Sequence, residues 1–148
     1  MKHLALLLAL ATGCQSGPGS LDGSLSRIFD LSYTSVRARL YPSELSVEYV
    51  DEARYNAVAL RVTLDHLDEL QLHTTYDLYE LGHIGVSDSF GGSLPPLLSG
   101  TITLRELSVD APEPTCRGDF SALFQTAAGD RFSVFGPFDA RLEVVDAI

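Results

Sequence analysis

From Ser99 to Val145 the chain alternates apolar and polar residues with a period of two, and no other feature restricts its fold as strongly. Successive side chains of a strand leave opposite faces, so this alternation is what a half-buried strand requires. Ile102 and Leu104 oppose Thr101 and Thr103. At Glu106–Leu107 the pattern slips by one and Leu107 and Val109 take over, which a β-bulge would produce. Ala111-Pro112-Glu113-Pro114 cannot continue a ladder, because proline has no amide donor. Cys116, Gly118, Phe120, Ala122 and Phe124 then share one face against Arg117, Asp119, Ser121 and Gln125. Ala128-Gly129-Asp130 reads as a hairpin turn. The return strand opens with Phe132 and Val134, is expected to break or bulge at Gly136-Pro137, and closes with Phe138, Ala140, Leu142 and Val144 on one face. Three or four antiparallel strands are expected here, and the phenylalanines between Phe120 and Phe138 place the thickest part of the core among them.

The upstream half carries the same signal in shorter pieces. Phe29, Leu31 and Tyr33 alternate with polar neighbours, as do Val36, Ala38 and Leu40, with the two runs meeting at Thr34-Ser35. Pro42-Ser43 marks a turn before Leu45, Val47 and Tyr49, and Asp51-Glu52 marks another before Val58, Leu60, Val62 and Leu64. Residues 65–81 fit either a short helix striped by Leu64, Leu67 and Leu70 or a strand continuing through Tyr76, Leu78 and Glu80; without a clear cap, the strand is favoured. Val86 to Gly100 is rich in Ser, Gly and Pro and is expected to be an exposed loop. No internal repeat is visible. The fold class that follows is all-β: a monomeric antiparallel β-sandwich or partly open barrel of about eight or nine strands.

The front of the chain is different. Lys2 and His3 precede an unbroken apolar run from Leu4 to Ala11, then Thr12-Gly13-Cys14. A basic start, a short apolar run and small residues before a cleavage point make a secretory signal peptide, and the run is too short to remain as a spanning helix. Leu10-Ala11-Thr12-Gly13-Cys14 resembles the lipobox of bacterial lipoproteins, with Ala11 where Leu is usual. The resemblance implies cleavage after Gly13 and lipidation of Cys14, with palmitate-type acyl chains as a membrane anchor; each buried methylene contributes about 0.8 kcal/mol. Gln15 rather than Asp follows the cysteine, and by the same resemblance this favours the outer membrane, on its periplasmic or surface face. Gln15 to Ser24 is rich in Gly and Ser and reads as a flexible tether. The expected organisation is therefore a signal peptide at 1–13, lipidated cysteine and tether at 14–24, and one all-β domain at 25–148. Lipobox, tether and strand series together resemble small lipoproteins of GC-rich Gram-negative bacteria, a likeness that implies the anchor but no activity.

Charge and cysteine count narrow the partners. The net charge of −10 becomes −11 once Lys2 is removed with the signal peptide, and every remaining cation is an arginine. So acidic a domain is a poor partner for nucleic acid or for anionic membrane surfaces. With Cys14 lipidated, Cys116 has no partner in the chain and reads as a small buried hydrophobe.

Motifs for chemistry are sparse. His66, His73 and His83, with Asp65, Asp68 and Asp77 nearby, match no zinc spacing and read as surface residues. Gly85-Val86-Ser87-Asp88-Ser89 comes nearest a nucleophile elbow but lacks its last glycine. Phosphate-binding glycine motifs are missing. Asp51-Glu52 and Asp68-Glu69 are adjacent carboxylates that a strand would point apart, so neither forms a glycosidase pair. Asp65, Asp68 and Glu69 do not make a calcium ladder. Tyr33, Tyr41, Tyr49, Tyr55, Tyr76 and Tyr79 could present a binding surface, though strand-edge packing is the commoner use of such residues. The expectation is a non-enzymatic envelope lipoprotein without cofactor or metal, acting structurally or through an envelope protein partner. The alternative is a small-ligand or carbohydrate-binding module, with its site at residues 86–98 or in a barrel mouth.

Overall fold

The computed structural model describes residues 19–65, 70–87 and 92–146. Cys14, the signal peptide, and His66, Asp68 and Glu69 lie outside the described residues. The domain is all-β, built on an eight-stranded sheet that curls into a nearly closed barrel. Its strands are β3 (Ser35–Tyr41), β4 (Glu44–Asp51), β5 (Ala57–Leu64), β6 (Thr75–Asp77), β7 (Gly82–Gly85), β8 (Leu97–Ser108), β9 (Thr115–Gln125) and β10 (Arg131–Val144), in the order β6-β8-β9-β10-β3-β4-β5-β7. A separate two-stranded ribbon pairs β1 (Gly19–Ser20) with β2 (Ser32–Tyr33).

The sheet is two antiparallel meanders fused along one seam, where β10 runs parallel to β3 with Arg141–Val144 beside Arg37–Leu40. This corrects the expectation of antiparallel pairing throughout. A parallel pair needs a long crossover, and here nearly the whole domain serves as one. The inward faces are the ones the alternation indicates: Cys116, Gly118, Phe120, Ala122 and Phe124 are all buried, and so are Val134, Phe138, Ala140 and Leu142. A register shift between Leu104 and Glu106 supplies the bulge. The β9–β10 hairpin turns at Gly129, whose φ is 90°.

Gly136-Pro137 neither breaks nor bulges β10, which pairs without interruption from Arg131↔Gln125 to Arg141↔Thr115. Phe135 exchanges both backbone hydrogen bonds with Asp22, so odd-numbered backbone groups of this stretch face away from β9. Proline's missing N–H therefore costs no ladder bond, and the Pro137 carbonyl accepts from the Tyr49 hydroxyl at 3.1 Å. Tyr49 is fully buried, stacked edge-on to Tyr33 with ring centroids 5.0 Å apart.

Other corrections concern the segment boundaries. The tether expected to reach Ser24 is docked on the domain from Gly19 onward. Leu21 is buried in the core, and a 3₁₀ turn at Ser24–Arg27 buries Leu25. Gly23 has φ 111°, and a Cβ there would lie 2.3 Å from the Ser133 carbonyl oxygen, so this glycine serves close approach and not slack. Within 65–81 the expected strand is only β6; a single helical turn, α1 (Leu78–Leu81), follows directly. Asp77 caps it by accepting from the Tyr79 N–H at 2.8 Å. Leu78 is fully buried, and α1 packs against β5, β6, β7 and β8, bridging the two edges of the barrel. The expected loop at 86–100 ends early, because Leu97–Gly100 already belong to β8.

Candidate functional site

At one end of the barrel β3, β5, β8 and β10 begin and β4, β7 and β9 finish, as their pairings require. Around this end lie the 51–57 turn, the 125–131 hairpin and residues 86–87 and 92–96. A cavity of about 560 Å³ opens there, lined by Ile84, Val86, Leu94, Pro95 and Leu97, with Phe124 at its base. Gly85, Gly92 and Ser93 complete the lining. Six of its nine lining residues are apolar, but the surface they present is more polar than apolar and open to solvent, a mixed lining of a size that suits a small molecule. The barrel interior itself is filled by Tyr49, Phe120, Phe124, Ile102 and their neighbours.

Among the described residues, the sequence-selected chemical groups do not converge. His83 Nδ1 and Asp65 Oδ2 lie 2.8 Å apart on the exposed end of β7. His73 sits in a turn with φ 57°, its N–H bonded to the Leu104 carbonyl. Asp77 is occupied as a helix cap, and Asp51 accepts from the Ala53 N–H and pairs with Arg54. Ser87 donates its backbone N–H to Val58, and Asp88 and Ser89 lie outside the described residues. Among the described residues no three His, Cys, Asp or Glu side chains come together. The tyrosines are dispersed. Tyr33 and Tyr49 belong to the core, Tyr76 accepts from the Gln71 N–H, and Tyr55 stands fully exposed on the 51–57 turn. Tyr79 overlooks a groove of about 460 Å³ on the outer face, floored by Thr75, Asp77, Thr101 and Ser121.

Cys116 is buried and unpaired, and burial pushes its thiol up to about 12. A thiol reagent should therefore leave Cys116 untouched in the folded protein and modify it only on unfolding, as titration with a chromogenic disulfide would register.

One constellation escaped sequence reading. Glu48 points to the outer face of β4 yet is only 2% exposed, clamped between Arg37 on β3 and Arg61 on β5. Arg61 donates Nε and a terminal nitrogen to the same carboxylate oxygen, at 2.7 and 2.6 Å. Burial alone would raise the Glu48 pKa, but the two guanidiniums together hold it below the usual carboxylate range. The arrangement leaves Glu48 no free oxygen for proton transfer, so it ties three strands together and offers no reactive group. Among the described residues no helix is long and apolar enough to cross a membrane. No protein-family model matches this chain, and comparisons with curated proteins and with solved structures returned no similar protein.

Proposed function

We propose that this chain is a non-enzymatic lipoprotein of the cell envelope, held at the outer membrane through lipidated Cys14, whose barrel binds a small molecule at its mouth. The observation that carries the binding reading is the 560 Å³ cavity walled by Ile84, Val86, Leu94 and Leu97. The anchor rests on the residues from Leu4 to Cys14. Strand addition by a protein partner is served less well, because the two edge strands β6 and β7 offer only three and four residues.

The chain contains no tryptophan, so an introduced one is a unique probe. Val86→Trp should fill the cavity. An environment-sensitive apolar dye that brightens with the wild-type protein should lose most of that signal with V86W, while the thermal midpoint stays close to wild type. Equal dye binding by both proteins would contradict the mouth site. A second reading, a saccharide lying in the outer groove, is favoured by exposed Tyr79 beside Asp77, Thr75, Thr101 and Ser121. A soluble oligosaccharide that protects Tyr79 but leaves dye binding unchanged would support it.

A further inference from the structure

Two guanidiniums meet one carboxylate in the outer-face clamp, so Arg37, Glu48 and Arg61 together carry a surplus positive charge in a chain whose net charge is −10. Tying three strands together accounts for the geometry and leaves that surplus without a use. Arg61 is 47% exposed, and its bonds to Glu48 use Nε and one terminal nitrogen. A guanidinium has five N–H donors, so the second terminal nitrogen still has both of its protons to give.

Arg61 also borders a second cavity, of about 320 Å³, lined with it by Val58, His83, Gly85, Val86 and Ser87. Gly85 stands directly opposite Arg61 across the β5–β7 pair. Its φ is not positive, and a Cβ built on it meets nothing within 4 Å. Neither backbone conformation nor packing calls for glycine here. The effect of glycine is to leave open the cross-strand place beside Arg61, where a neighbour's Cβ ordinarily stands about 5 Å away. This second cavity shares Gly85 and Val86 with the mouth cavity. Side by side, the two offer a mixed lining with many apolar residues and a wall that carries an arginine. The nearby carboxylates are engaged, Glu48 by its two arginines and Asp65 by His83 Nδ1 at 2.8 Å.

We infer that the molecule bound at the mouth is a small organic carboxylate, with its apolar part in the mouth cavity and its carboxylate reaching past Gly85 and Val86 to Arg61. This rests on the mouth as the binding site and adds the class of ligand. The planar fork of a guanidinium matches a carboxylate, and Arg61 already holds one, that of Glu48. A second carboxylate neutralises the surplus charge of the clamp. An uncharged molecule of the same length forgoes that gain.

Octanoate and 1-octanol share a chain and differ in the head, so calorimetric titration of the purified protein with each isolates the carboxylate. The wild-type protein should bind octanoate at least about tenfold more tightly than octanol. Gly85→Asp places a competing carboxylate beside Arg61 in open space, and Arg61→Met keeps the stem of the side chain while removing its charge. Both should abolish the preference and leave octanol binding unchanged, whereas Gly85→Ala should retain it. Arg61→Met also takes a partner from Glu48; Gly85→Asp leaves the clamp intact and decides the matter if Arg61→Met does not fold. Equal binding of the two compounds by the wild-type protein, or a preference that survives Gly85→Asp, would overturn the inference and leave the mouth site standing. Octanoate binding that survives Val86→Trp would overturn it too, because the carboxylate would then be held without the mouth. If neither compound binds but V86W still abolishes the dye signal, the ligand class is wrong and the mouth site is right; if V86W leaves the dye signal unchanged as well, both readings fall.

Discussion

Replacing Gly118 with valine should leave the domain largely unfolded at 37 °C. Gly118 lies mid-strand in β9, opposite Leu104 of β8 and Phe138 of β10. A Cβ added there would sit 2.2 Å from the Thr103 carbonyl oxygen and 2.6 Å from Phe138 Cζ. The first neighbour is backbone, so it cannot swing away, and the second is a buried ring in a close-packed core. Overpacking typically costs about 1–3 kcal/mol when side chains can yield, and more when they cannot. Against a total stability of roughly 5–15 kcal/mol, valine at this position is a large fraction. Even Gly118→Ala should lower the denaturant midpoint markedly. Adding Phe138→Leu should recover only part of the loss, because the carbonyl clash remains. Gly85→Ala, where an added Cβ meets nothing within 4 Å, should be close to neutral and serves as the control.

The second large effect is a reversal of pH dependence in the Arg37→Met/Arg61→Met double variant, whose unbranched apolar chains keep Glu48 covered while removing both charges. In the wild-type protein the folded-state pKa of Glu48 is held low, so its contribution is fully present above the usual carboxylate range and is lost as pH falls through the folded value. Without both arginines, burial is the dominant influence and the folded-state pKa moves above the unfolded one. The contribution then inverts: the protonated form is favoured on folding, and stability is lost as pH rises. Removing the partners of a buried charge costs about 3–5 kcal/mol, so at pH 7 the double variant should be severely destabilised. Between pH 7 and pH 5 it should regain stability relative to wild type. Glu48→Leu should cost less, because Arg37 and Arg61 are 40% and 47% exposed and can return to water. Denaturant midpoints at the two pH values check all three statements.

These two sites also show what the sequence could and could not reveal. The inward face of β9 and β10 was legible because every second residue is apolar over long runs, and such a pattern survives whatever the neighbouring strand does. Whether that neighbour runs parallel or antiparallel leaves no mark on alternation, so the β10–β3 seam was hidden. In the 19–24 segment Gly and Ser suggest slack, but the structure uses them for close packing. Gly23 is there to let two backbones approach, and the lone apolar residue, Leu21, is buried. A four-residue helix such as α1 is too short to show a period, and Gly82–Gly85 carries too few apolar residues to announce β7. Glu48 looked like an ordinary outward member of β4; its burial comes from arginines on two other strands. The cavity joins Ile84, Leu94 and Phe124, which no local pattern connects, although the mouth was anticipated as a place for a site.

The functional account depends first on the anchor, and one measurement addresses it directly. The protein is expressed in a Gram-negative bacterium, recovered from the envelope fraction, and its intact mass compared with that of Cys14→Ser. The account predicts a wild-type mass equal to residues 14–148 plus acyl groups, and no acylated species in the variant. A wild-type chain cleaved elsewhere, or recovered without lipid, would contradict it.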